Sequence, residues 1–184
     1  MLQLGTALDD SIGESFDKVA RMLGLNAMPS GGPALEAFAK HGDPLSVPLT
    51  MPMQAKKTCD FSYSGLKTGV LIALQERCPP GDDGEPDTSA ATAAVRADIA
   101  ASFQHVAVEH LAQRTARALE WAQEVVPGVS TLVVSGGVAA NQSVRLRLDA
   151  VAAEADMRAV YPEPRLCTDN GAPPDDYSSV ARAT

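Results

Sequence analysis

No run of 18 or more apolar residues occurs in this sequence, so no segment reads as a membrane-spanning helix. Its start, MLQLGTALDDSIGESFDK, has neither the basic n-region nor the apolar h-region of a secretory signal. Cysteine is scarce. Cys59, Cys78 and Cys167 are odd in number and widely spaced, which argues against a disulfide framework or a CxxC zinc or redox site and fits a reducing compartment. Excess positive charge is also missing. At a formal net charge of −8 the chain repels phosphate backbones at long range, so nucleic-acid contact requires a local basic patch or a partner's surface. The absence of HExxH removes the zincin type of metalloprotease, and no Gly-x-Ser-x-Gly elbow supports a serine hydrolase. There is no internal repeat.

What is present suits one domain, or one lobe of a larger one: 184 residues with 45% apolar content. Ile12, Phe16, Val19 and Leu23 recur at helical spacing, so a helix is expected over 11–25, with Asp9 or Asp10 as its cap. Gly24 and the run Pro29-Ser30-Gly31-Gly32-Pro33 end it, and a short helix from Pro33 to about Lys40 follows. Residues 41–60 read as an irregular crossing. Leu66, Val70, Leu71 and Leu74 predict a helix from Ser64 to about Glu76, closed by the acidic loop CPPGDDGEPDTS. A drifting apolar stripe from Val95 to Val126 predicts one long helix, stopped by Pro127-Gly128. The β-branched run 131–135 then reads as a buried strand, followed by Gly136-Gly137, a helix over 142–155 and a strand near 157–161. That order is α/β.

Three places can carry chemistry. In LVVSGGVAAN, Gly136 and Gly137 follow a strand and precede a helix, so backbone N–H groups there can hold a phosphate or adenosine edge, or simply turn the chain. Asn141 can hold a sugar hydroxyl or cap the helix. Asp10, Glu14 and Asp17 share one helix face near SGGP, where Asp17 can point at ribose hydroxyls or the group can be a solvated acidic first turn. In Cys167-Thr168-Asp169-Asn170, Asp169 is either a metal ligand or part of a turn. His105 and His110 lie about 140° apart on a helix, and with His41 they form no metal pair.

Several separated stretches, taken together, are more specific. LGTALDDSIGESFDKVARMLGL, SGGPALE, CDFSYSGLKTGVL, DIAASFQHVAVEHLAQRTARAL, LVVSGGVAANQSVRLRL and PRLCTDNG resemble, in order, segments of the tRNA N6-threonylcarbamoyladenosine synthase family, once described as sialoglycoproteases. The resemblance runs from about residue 3 to 171. It implies the α/β actin-like ATPase fold (Hsp70, sugar kinase, actin), of which this chain is the C-terminal half only. The regions are then 1–90 (helical cleft wall with the acidic loop 78–90), 91–171 (nucleotide-binding lobe) and 172–184 (divergent tail). It implies transfer of a threonylcarbamoyl group from threonylcarbamoyl-AMP to N6 of adenosine 37 in tRNAs reading codons that begin with A. Asp17, Gly32, Gly136, Gly137 and Asn141 would line the adenylate site, and Asp169 would ligate one divalent iron or zinc. One extra residue, at Met28 or Ser30, puts the loop register at Gly31 or Gly32.

The departures are informative. The family's N-terminal half, with a His-x-x-x-His pair and an early phosphate loop, is not in this sequence, and APPDDYSSVARAT replaces its final small-residue helix. The isolated chain is therefore expected to be inactive. The alternative is a non-catalytic nucleotide-binding or dimerisation fragment. Detail in LVVSGGVAANQSVR is closest to the organellar branch, which places the protein in the mitochondrion, ahead of plastid or bacterial cytoplasm. Expected partners are tRNA and a second copy or a paralogous subunit, with no membrane. Lys56, Lys57, Lys67, Arg145 and Arg147 are the expected phosphate contacts.

Overall fold

The computed structural model describes residues 2–28, 30–79 and 87–163. Asp169, Cys167, most of the acidic loop and the 172–184 tail lie outside the described residues. The elements run α1 (Ile12–Met22), α2 (Gly31–Ala39), α3 (Ser64–Arg77), α4 (Ala93–Val125), β1 (Thr131–Val133), α5 (Gln142–Glu154) and β2 (Arg158–Val160). The chain is α/β and helix-rich with a small sheet. No helix among the described residues is long and apolar enough to cross a membrane.

α4 organises the rest. Its first half packs Ile99 and Phe103 against Phe16, Val19 and Leu23 of the α1 region, Leu35 of α2 and Leu66, Val70 and Leu74 of α3. Phe16 meets Phe103 edge to face at 5.2 Å, the preferred aromatic geometry. The second half of α4 serves a separate apolar cluster, where Ala112 and Leu119 face Val151, Ala152, Met157 and the sheet residues Leu132 and Ala159. One 33-residue helix thus spans both packed regions. β1 and β2 pair in parallel, Leu132 opposite Ala159 and Val133 opposite Val160. α5 connects them, as a parallel pair requires.

Three sequence expectations are corrected. α1 is capped by Ser11, whose Oγ accepts from Glu14 N–H at 3.3 Å, and not by Asp9 or Asp10. Asp9 instead caps α3, accepting from Tyr63 N–H (2.8 Å), Ser64 N–H (3.4 Å) and Ser62 O–H (2.5 Å). Burial pushes its carboxyl up, but these bonds outweigh that and hold it below its usual range. α2 starts two residues before Pro33, at Gly31, with Ser30 as N-cap. β1 ends at Val133, and a 3-10 turn over Gly137–Ala140 stands between the strand and α5.

Candidate functional site

Two of the sequence signals meet in one corner of the fold. Asp17, half-buried on α1, accepts from the N–H of Gly31 at 2.6 Å and from the Ser30 hydroxyl at 3.1 Å, and so locks the start of α2 onto α1. α2 in turn reaches α5, because Glu36 Oε1 accepts from Gln142 N–H at 2.9 Å. α1 touches the glycine turn where Gly13 faces Val138. Asp17, the SGG loop, Gly136-Gly137 and Asn141 therefore belong to neighbouring elements, although up to 124 positions separate them in the chain (141 − 17).

Gly31 is the glycine of this pair that packs on α1. A Cβ there would stand 2.6 Å from Ala20 Cβ and 3.0 Å from Asp17 Cα, whereas one at Gly32 would meet only Ser30 Oγ at 3.7 Å. Gly31→Ala should therefore destabilise by about 2 kcal/mol through overpacking, with Gly32→Ala nearly neutral. Urea unfolding of both variants measures this, and equal midpoints would contradict the close packing of Gly31 on α1.

Gly136 has φ 95° and ψ 170°, a conformation open in practice only to glycine, and among the described residues nothing beyond its chain neighbours lies within 4 Å of a Cβ built on it. The turn is shaped by that residue, with Ser135 and Gly137 exposed beside it. Asn141 is buried and serves the helix: its Oδ1 accepts from Val144 N–H at 3.0 Å and its Nδ2 donates to Gln104 Oε1 at 3.0 Å. Its side chain is the N-cap of α5. The N-terminus of α5 is likewise taken up by Asn141 and by the Glu36 carboxylate, so the accessible backbone of this corner is the Ser135–Gly137 turn. A cleft of about 320 Å³ opens beside the turn, lined by Ile12, Thr115, Val134, Ser135, Val138 and Ala139 among others.

Asp10 and Glu14 are engaged in ion pairs. Both pair with Lys18 at 2.9 Å, and Lys67 closes on Asp10 from α3. Lys67, one of the expected phosphate contacts, is thus already paired within the protein. Arg147 is likewise paired, with Glu109 at 2.7 Å. Arg145 donates to Ala139 C=O at 2.5 Å and lies 4.7 Å over the Tyr161 ring, so it braces the glycine turn from behind. Lys56 and Lys57 are exposed.

Sequence reasoning missed Ser30 as the α2 cap, Glu36 and Gln104. Ser before Gly-Gly-Pro was a legible cap signal, but the partners of Glu36 and Gln104 lie 106 and 37 positions away, beyond any local pattern. His110 is fully buried against Phe61 and Tyr63, its Nε2 accepting from Ser62 N–H at 3.3 Å. Among the described residues no three His, Cys, Asp or Glu side chains group as a metal site, so these residues alone do not fit iron or zinc.

Comparison with known proteins matches this chain to the family described as tRNA N6-adenosine threonylcarbamoyltransferase over residues 1–174. A relative in Arabidopsis thaliana, described as a probable mitochondrial tRNA N6-adenosine threonylcarbamoyltransferase, is 48% identical over 92% of this chain and 35% of its own length. Relatives in Granulibacter bethesdensis and Roseobacter denitrificans, described as tRNA N6-adenosine threonylcarbamoyltransferase, are 45% and 39% identical, covering 91% and 98% of this chain and 42% and 50% of their own lengths. The chain spans half or less of the length of these relatives. With the ordered motifs and the shared corner already in place, a match over residues 1–174 shows that the chain belongs to the tRNA N6-adenosine threonylcarbamoyltransferase family.

Proposed function

We propose that this chain is the nucleotide-facing C-terminal part of a tRNA threonylcarbamoyltransferase with the actin-like ATPase fold. The observation that carries the reading is the corner where α1, α2 and the Ser135–Gly137 turn meet. Both protein bonds of Asp17 fall on Oδ1, which leaves Oδ2 for a ribose hydroxyl of threonylcarbamoyl-AMP. Backbone N–H groups at Gly136 and Gly137 face the adenylate phosphate, where glycine allows close approach. Gly31 and Gly32 form the floor beneath the ribose, and Asn141 keeps the turn in register by capping α5.

In the transfer, N6 of a tRNA adenosine attacks the carbamoyl carbon. A new C–N bond forms, the bond from that carbon to the AMP phosphate oxygen breaks, and AMP leaves as the amine loses a proton. The contribution of this chain is to hold the leaving nucleotide, and orientation of that kind supplies up to about 7–11 kcal/mol in favourable cases. Asp169 is the residue we assign to the metal that the resemblance implies; no step here depends on that ion. The compartment we favour is the mitochondrion, supported by the description of the Arabidopsis relative, and the assembly we favour pairs the chain with a second copy or a paralogous subunit.

The test is reconstitution. tRNA, threonine, bicarbonate, ATP and an adenylate-forming enzyme are incubated with the 184-residue chain or with a chimera joining it to a family N-terminal half and C-terminal helix. Mass spectrometry of digested tRNA should find threonylcarbamoyladenosine only with the chimera. Product from the chain alone would end the half-site reading, and no product from a folded, metal-loaded chimera would end the transferase reading.

A further inference from the structure

The five cations expected to contact phosphate divide sharply once the fold is known. Lys67 and Arg147 are neutralised by carboxylates, and Arg145 is spent on a backbone carbonyl and a tyrosine ring. Lys56 and Lys57 are different: they are exposed, and no salt bridge found among the described residues includes them.

The loop that carries them is mounted from beneath by two arginines of α4. Arg114, 1% exposed, donates through Nη1 to the carbonyls of Lys56 (2.6 Å) and Thr58 (2.9 Å) and through Nη2 to that of Met53 (2.6 Å). Arg117 adds bonds to Thr58 C=O at 2.9 Å and to Lys56 C=O at 3.3 Å. Lys56 N–H closes the turn on Met53 C=O, and Met53 sits at φ 50°, in the left-handed region that a methionine rarely adopts. A charged hydrogen-bond fork is a strong restraint on backbone. Four cations thus gather at one loop of a chain whose formal net charge is −8, with the two lysines outermost. Asp60, the acid nearest in sequence, accepts from Thr6 N–H at 3.0 Å and acts on the buried Arg114 of the mount.

We propose that the Met53–Thr58 loop is a contact for the phosphate backbone of the RNA substrate, with Lys56 and Lys57 as the phosphate-facing groups and Arg114 and Arg117 as its positioning residues. This rests on the transferase reading for the identity of the RNA. Rigid mounting matters because a lysine on a mobile loop loses ordering entropy on binding that a pre-shaped loop has already given up. The net negative charge makes a local patch necessary, since the whole-molecule field works against the polyanion.

Binding of a labelled tRNA transcript to the 184-residue chain is measured by fluorescence anisotropy at several KCl concentrations. Lys56→Gln with Lys57→Gln should weaken binding roughly tenfold or more at about 0.1 M salt and lower the slope of log K against log salt by about 1.5, the release expected for two phosphates. Arg117→Gln, which keeps both lysines, should weaken binding by a smaller factor with little change in slope. The control Arg21→Gln with Lys40→Gln should leave both quantities unchanged. Absence of binding by the parent chain, an unchanged affinity in the double lysine variant, or an equal loss in the control would each overturn the proposal. The same lysine changes in the chimera separate the two readings. Product formed with unaltered dependence on tRNA concentration would remove the loop and leave the transferase standing, whereas no product with both lysines intact would remove the transferase.

Discussion

Arg114→Met is expected to cost about 3 kcal/mol or more of folding stability, the largest effect of any single substitution considered for this chain. The guanidinium is almost fully buried and donates to three carbonyls of one loop. Methionine fills similar volume without a donor, so Met53 C=O keeps only its turn bond and Thr58 C=O only Arg117. Arg114→Lys should recover less than half of the loss, because one ammonium cannot span three acceptors in a fixed plane. Urea unfolding followed by circular dichroism gives the magnitude. Limited trypsin digestion supplies a local readout: cleavage after Lys56 or Lys57 should accelerate more than the global destabilisation explains. A variant with the parent's midpoint and the parent's cleavage rate would show that the clamp does not hold the loop.

One helical turn earlier, His110 makes stability depend on pH. Burial first, then the neighbouring Arg114 charge, pull its pKa down from 6.5 to about 4, while Asp9 pulls weakly the other way. In the folded state the imidazole stays neutral where the unfolded chain binds a proton. Its contribution to stability is therefore complete above pH 6.5, declines as pH falls, and is lost by about pH 4. The size is about 3 kcal/mol, from 1.36 kcal/mol per unit. Asp9, held below the usual carboxylate range, acts in the same direction at lower pH. His110→Gln keeps an acceptor for Ser62 N–H and cannot titrate. Unfolding free energies at pH 7.5, 6, 5 and 4.5 should show a flatter decline in the variant than in the parent. Parallel declines would mean that other groups set the acid sensitivity.

The residues around these two explain one another. Thr58 Oγ1, Tyr63 Oη, His110 Nδ1 and Arg114 Nε are all buried and find no hydrogen-bond partner among the described residues. They sit where the crossing of residues 53–63 packs on α4, a contact dominated by backbone carbonyls and ring edges. Arginine-to-carbonyl hydrogen bonds and aromatic edge contacts hold that junction together.

Much of the fold was legible in the sequence because helices have a local period. Ile12, Phe16 and Val19, then Leu66, Val70 and Leu74, announced α1 and α3, and the stripe from Val95 onward announced α4. The strand–glycine–helix order at 131–154 was equally visible, since β-branching, Gly-Gly and the following amphipathic run are all short-range signals. Family membership came from the order of many such segments, none decisive alone. Caps and charges were another matter. Asp9 reads locally as a cap for α1 and in fact caps α3, because its carboxylate meets orphan N–H groups more than 50 positions away. Asn141 was open between ligand and cap, Gly32 stood one residue from the glycine that packs on α1, and three of the five expected phosphate contacts turned out to be committed inside the protein. The sequence by itself thus determined which elements form and to which family they belong, for periodicity and turn chemistry are properties of neighbouring residues. Only the tertiary structure decided what each polar side chain does, because a charge or a hydrogen-bonding group is satisfied by whatever lies within about 3 Å of it, and packing alone chooses that neighbour.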